Sequence, residues 1–297
     1  MSEAAGMGRA SADELRAGSG SGGLPIGVTL GSIGVDAAWW LDSARRLDEA
    51  GYAGVWCWDH FVSRGNRTVP TLEQWTTLAA TAAATRRIGI GSFVTNVMNR
   101  HPALLARMAG TVQAISGGRL TLGIGIGGHP AEHRAYGIDF PEVAERAARL
   151  EEAIAVIRAL WAGAPVTRPS PFYPLHDALA LPVPVPRPRI LVGAGTPAGV
   201  RLAARAGDGW AVESDTFEAL RERYFEALAG AGRSREDVTI LVGFGSGRSG
   251  VDLLTDSPWI EAPAETAARW AAAGADEVTV TARTTADVDR LVAIAGR

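Results

Sequence analysis

Three short stretches combine residue types that can do chemistry. Residues 120–137 read LTLGIGIGGHPAEHRAYG. Inside them, GIGIGG (123–128) has the glycine spacing of a dinucleotide-binding turn, and HPAEH (129–133) has the H-x-x-E-H spacing of a zinc peptidase. Asp59 and His60 are adjacent in WDHF (58–61), and an imidazole beside a carboxylate can give or take a proton near neutral pH. AGTPAG (194–199) places glycines before a helical pattern, where backbone N–H groups can hold an anion.

Each stretch also has a plainer reading. A dinucleotide fingerprint closes the first strand of a βαβ unit and needs an acidic residue about 20 positions on, at a strand end. Here the glycines lie inside the fourth apolar run, and the acids that follow, Glu142 and Glu145, fall in a helical pattern. The zinc pattern needs His129 and His133 on one turn of a regular helix, with a third ligand downstream. Glycines precede this pair and Pro130 interrupts it, so no metal is expected. What remains is a strand running into a loop, its alternate glycines leaving one face bare for something flat and bulky. Asp59 and His60 suit a capped loop and a packed rim as well as catalysis. The 194–199 turn suits ordinary packing as well as anion binding.

The elements that must position these residues are legible as a pattern. Apolar runs at 26–30, 54–59, 87–95, 120–126, 190–194, 209–213, 238–244 and 277–282 read as eight strands. Most are continuous rather than alternating, so both faces are covered, as in a parallel sheet. Helical stripes follow them. Ala37, Trp40, Leu41, Ala44 and Leu47 form one, and Val143, Ala147, Leu150, Ile154, Ile157 and Trp161 form another. Later helices are predicted near 196–206, 216–230, 262–273 and 284–296. Eight β/α units predict an α/β fold of the TIM (β/α)8 type, with a doubly wound open sheet as the alternative. The proline-rich segment 167–189 predicts an irregular excursion between helix 4 and strand 5, with a hairpin as an option, near the C-terminal face. Residues 1–24, with GSGSGG at 18–23, predict a disordered leader, leaving 25–297 as one barrel domain.

Composition narrows the function. The 297 residues are 47% apolar and 21% charged, with a net charge of −3, so nothing favours nucleic acid or membrane as partner. One cysteine, Cys57, excludes an internal disulfide framework and suits a reducing cytoplasm. No lysine occurs, which excludes a lysine Schiff base or lysine phosphate clamp. A bare glycine face, an Asp-His pair and an anion-ready helix start on one rim suit a planar, phosphate-bearing cofactor and a small-molecule substrate.

Five segments taken together resemble the bacterial luciferase-like monooxygenase superfamily, most closely its coenzyme F420-dependent oxidoreductase branch. They are WDHF (58–61), GSFVTNVMNRHP (91–102), SGGRLTLGIGIGG (116–128), EHRAYGIDFP (132–141) and RILVGAGTPAGVRLAARAGDGW (189–210). The resemblance implies a TIM barrel binding F420, or alternatively FMN, at its C-terminal face. It implies that Asp59 lies near the deazaflavin edge and that His60 is the proton donor or acceptor. It puts a non-proline cis peptide at Ser92-Phe93, behind the ring, and a polar cofactor contact at Thr95. Ile126 and Gly127 fall where the fourth strand meets the cofactor, and Gly195, Thr196, Ala198 and Gly199 on the phosphate turn. The implied activity is hydride transfer between F420 and an enone, imine or alcohol/carbonyl substrate. The alternative is an FMN-dependent monooxygenase using reduced flavin and oxygen. Gly128 and Ala131 stand where the family's sugar-phosphate dehydrogenases carry a catalytic glutamate and a cofactor-contacting asparagine. With lysine absent as well, a sugar-phosphate substrate is not expected. Arg64 or Arg100 is available for an acidic substrate. A homodimer across the early helices is a further implication, with Trp39 and Trp40 either in that surface or, the preferred reading, packed on the barrel.

Overall fold

The computed structural model describes residues 23–63, 65–245, 254 and 257–295. The predicted leader lies outside these residues up to position 22, as does Arg64.

In chain order the first half contains β1 (Ile26–Leu30), α1 (Ala37–Glu49), β2 (Gly54–Cys57), α2 (Gln74–Ala84), β3 (Gly89–Ser92), β4 (Thr95–Asn96), α3 (Pro102–Ser116), β5 (Leu120–Gly125), α4 (Pro130–Tyr136) and α5 (Val143–Leu160). There follow a hairpin of β6 (Val166–Arg168) and β7 (Leu175–Ala178), then β8 (Arg189–Gly193), α6 (Pro197–Ala206), β9 (Gly209–Glu213), α7 (Ser214–Gly230), β10 (Thr239–Phe244), α8 (Pro258–Glu261), α9 (Pro263–Ala272), β11 (Glu277–Ala282) and α10 (Thr285–Ala295). The main sheet runs β3-β2-β1-β11-β10-β9-β8-β5-β4, and a further β3–β5 pairing closes it. Every pairing in it is parallel. The fold is therefore a closed TIM barrel, and the doubly wound alternative is excluded. No helix among the described residues is long and apolar enough to cross a membrane.

Helix ends follow the local chemistry. Asp36 caps α1 by accepting from Trp39 N–H. His101 caps α3 through Nδ1, with Pro102 in the first turn and Gly117 in the left-handed conformation just past the end. Trp40 is fully buried and donates to Thr81 Oγ1, and Trp39 donates to Thr285 Oγ1, so both tryptophans are bonded within the chain.

Inside the barrel, Trp56 fills a layer that three glycines leave free. A Cβ on Gly27 would lie 2.7 Å from Trp56 Nε1, and one on Gly91 would overlap the indole outright.

The third predicted strand, 87–95, is broken. Ser92 is the last residue in register with β2, opposite Cys57, and Phe93 N–H still donates to Cys57 O. The cis peptide follows at Phe93-Val94, not at Ser92-Phe93 as expected. The β2 ladder holds Ser92 and the Phe93 N–H in strand geometry, so the break falls one residue later.

The proline-rich excursion leaves the end of α5 and returns at the start of β8, both at the N-terminal end of the barrel. Its hairpin climbs outside the helices until the Tyr173 ring meets His101 at the start of α3, 5.2 Å centre to centre. It then descends along α3, where Pro182 O faces Gly110 and Gln113 donates to Pro186 O. Only the tip reaches the C-terminal rim.

Candidate active site

A cavity of about 330 Å³ opens at the C-terminal ends of β2, β4, β5, β8 and β9. Its walls are chemically different.

One wall is glycine and backbone. Gly125, Gly127 and Gly128 from the end of β5 line it, with Gly193 at the end of β8, Ala194 and Gly195 just after it, and Phe93 and Val94. The alternate glycines make room for the chain itself. A Cβ on Gly123 would overlap Ser92 O, one on Gly193 would lie 2.7 Å from Val94 Cγ2, and one on Gly243 2.5 Å from Phe93 Cζ. The bare face expected from 123–128 is thus filled by the 92–94 bulge, and Val94 becomes the cavity floor. Gly127 is left-handed, at φ +73°, and a Cβ there would collide with the Asn96 amide. Arg146, nearly buried on α5, donates to Ile126 O at 3.0 Å and Gly127 O at 2.7 Å and so fixes this end of β5.

The other wall is charged and centres on Glu132 of α4. Its Oε1 accepts from Phe61 N–H and, at 3.0 Å, from Val62 N–H. Its Oε2 lies 3.2 Å from His60 Nδ1 and 3.2 Å from His129 Nδ1. Burial opposes the carboxylate charge, but the bonds from His60, Phe61 and Val62 outweigh it and hold the pKa at about 2. An ionised carboxylate only accepts, so both Nδ1 atoms donate to it and His60 Nε2 is left to exchange a proton. His133, the motif's second histidine, is turned away. It accepts from Asn96 Nδ2 and donates to the His129 carbonyl.

The expected site residues divide. His60, Asp59, Phe93, Ile126, Gly127 and Gly195 line the cavity. Both Asp59 oxygens are already bonded, to the Arg100 guanidinium at 2.7 and 3.0 Å and to Asn96 N–H at 2.8 Å. That makes Asp59 a positioning residue, and it commits Arg100, which also reaches Glu73, to the protein rather than to a substrate. Ser92 and Thr95, expected as cofactor contacts, are turned away. Ser92 donates to Gly123 O and Thr95 to Gln74 Oε1, because a buried hydroxyl needs a partner and finds one in the barrel wall. Thr196 caps α6 by accepting from Gly199 N–H, placing 196–199 at a helix start beside Gly195. Built onto Gly128, a Cβ would meet open space. Sequence reasoning missed Glu132, His129, Asn96 and Arg146. Glu132 and His129 stood inside the H-x-x-E-H stretch, but the partners of Glu132 lie some 70 residues earlier.

The family model for luciferase-like monooxygenases matches residues 21–245. The chain belongs to the luciferase-like monooxygenase family. One relative is an F420-dependent glucose-6-phosphate dehydrogenase of Kineococcus radiotolerans, 35% identical over 205 residues, which are 66% of this chain and 60% of that protein. The chain thus matches three-fifths of that relative's length. Among solved structures, an F420-dependent secondary alcohol dehydrogenase in complex with an F420–acetone adduct superposes with a TM-score of 0.77 at 19% identity. That match covers 93% of this chain and 99% of the other. The monooxygenase RslO1 from Streptomyces bottropensis superposes with a TM-score of 0.69 at 24% identity, over 92% and 98%. At these identities the structures speak for the fold.

Proposed function

We propose that this luciferase-like protein is an F420-dependent oxidoreductase. It would transfer a hydride between the deazaflavin and a small organic substrate, such as an enone, an imine or an alcohol/carbonyl pair. The observation that carries the reading is the pairing of His60 with an ionised Glu132 on one wall of a cavity whose floor is Val94 and glycine backbone. Such a floor suits a flat ring. Val94, Gly125, Ile126, Gly127 and Gly193 would lie against it, and 195–199 would take the phosphate at the start of α6. F420 supplies the hydride chemistry, carrying two electrons and one hydrogen nucleus. His60 supplies or removes the balancing proton at Nε2, while Glu132 holds the ring through Nδ1. Asp59 keeps Asn96 and Arg100 in place beneath.

The substrate in this proposal is not a sugar phosphate. Gly128 offers no acid at the place a catalytic glutamate would occupy, and no lysine exists to hold a phosphate. FMN with oxygen is the competing reading, since the two cofactors share a ring shape and the structural neighbours include a monooxygenase. The same proposal includes a barrel domain over 25–297, a cytoplasmic location suited to the single thiol, and a homodimer, which light scattering tests.

The deciding experiment titrates the purified protein with F420 and with FMN, each oxidised and reduced. F420 binding at least tenfold tighter supports the proposal. The reverse preference overturns it in favour of oxygen chemistry, and failure of both to bind removes the cofactor assignment.

A further inference from the structure

Three side chains at the charged wall have the composition and spacing of a metal centre. His60 Nδ1 and His129 Nδ1 each lie 3.2 Å from Glu132 Oε2. One ligand atom from each of the three side chains lies within 4.8 Å of the other two. A divalent ion bonded at about 2.0–2.1 Å to imidazole nitrogen and carboxylate oxygen sets neighbouring ligand atoms roughly 3.0–3.4 Å apart. Two of the three edges already have that length. The third closes by rotation of imidazoles that are partly exposed, 29% for His60 and 20% for His129.

The surroundings hold the ligands as a metal site requires. Glu132 is almost fully buried, and the Phe61 and Val62 N–H groups fix its other oxygen. The His133 ring anchors the His129 carbonyl. All three side chains line the cavity. The H-x-x-E-H motif therefore contributes its first histidine and its glutamate, while His60, from the end of β2, replaces the second histidine that is committed to Asn96.

We propose that His60, His129 and Glu132 form a binding site for a divalent transition metal of the zinc class, and that a metal held there excludes proton transfer by His60. On binding, each imidazole moves its Nδ1 proton to Nε2 and presents the freed lone pair, and Glu132 brings a negative charge. No electron changes hands. Two imidazoles and one carboxylate with open positions match the ligand set of catalytic zinc and of other borderline first-row ions. The exclusion half rests on the role of His60 proposed above, and the binding half stands without it.

The test uses the full chain, treated with chelator and titrated with Zn2+ by calorimetry and with Co2+ by visible absorption, without cofactor. The expected result is one ion per chain, bound at least tenfold more weakly by His129→Asn and by His60→Asn. His129→Asn is the safer variant, because among the described residues its half-buried ring hydrogen-bonds Glu132 alone. Glu132→Gln adds a third case if it folds. No saturable binding by the wild type, or equal binding by wild type and His129→Asn, overturns the site. In the presence of F420 and an acceptor, Zn2+ is expected to slow the wild type at least tenfold and His129→Asn less. Saturating Zn2+ without inhibition overturns the exclusion half. F420 that fails to bind metal-free protein overturns the functional reading and leaves the metal result standing.

Discussion

The two walls of the cavity are built by opposite means. The glycine wall is made by omission, since Gly123, Gly193 and Gly243 lack the atoms that would collide with Ser92, Phe93 and Val94. The charged wall is made by commitment. Asp59, Arg100, Glu73 and Glu132 bind one another or the backbone, so that among the described residues of this wall His60 and His129 keep a nitrogen for a ligand. A wall built by omission tolerates nothing added. One built by commitment tolerates nothing removed.

The largest expected effect comes from removing one partner on the charged wall. Arg100→Leu leaves Asp59 buried without its cation, a loss of about 3–5 kcal/mol in urea unfolding. A loss under 1 kcal/mol would mean that Asn96 N–H alone satisfies Asp59. Next comes an addition to the glycine wall. Gly123→Ala drives a Cβ into backbone, and about 3 kcal/mol is expected, measured in the same way. A neutral result would show that the 92–94 bulge can move aside. His60→Asn is expected to lower hydride transfer about 100-fold while F420 affinity changes less than threefold. An equal loss of affinity would make His60 a binding residue instead.

A smaller effect separates the walls by pH. Burial raises the Glu73 pKa, but Thr76 N–H, Trp75 N–H and Arg100 outweigh it and leave the value below the usual 4.5. A depressed folded value means that the stabilisation is full above about pH 4.5 and is lost as the pH falls through the folded value. Glu73→Gln should therefore be less stable than wild type at pH 7, with the gap closing in acid, as thermal melts across pH 3–7 would reveal. A gap that stays constant would remove Glu73 from the charged network. The smallest effect marks where the glycine wall ends. Gly128→Ala, with nothing near its Cβ, should shift stability by less than about 0.5 kcal/mol.

The same contrast explains what could be read from sequence. Continuous apolar runs announced every barrel strand to within a residue or two at most ends, because burial on both faces is a local property of the chain. The break at Phe93-Val94 was placed one residue early, since the ladder that positions it comes from β2. Glycine spacing in 123–128 was legible, but its occupant was not. The pattern says that space is left and not that Ser92 and Val94 fill it. Glu132 was invisible as a site residue because its significance lies in bonds to 60–62. Arg146 looked like any charged position on an amphipathic helix, and only the fold brings it under Ile126 and Gly127.

Cys57 is the chain's sole thiol, and it is fully buried at the end of β2. Burial first, and then the charges of Asp59 and Glu73, push its pKa well up, so little thiolate forms at neutral pH. With no lysine side chain either, the folded protein is nearly silent to the common labelling reagents. A single Gly128→Cys replacement would thus carry a fluorophore at the mouth of the cavity without competing sites, and the protein would report its own occupancy.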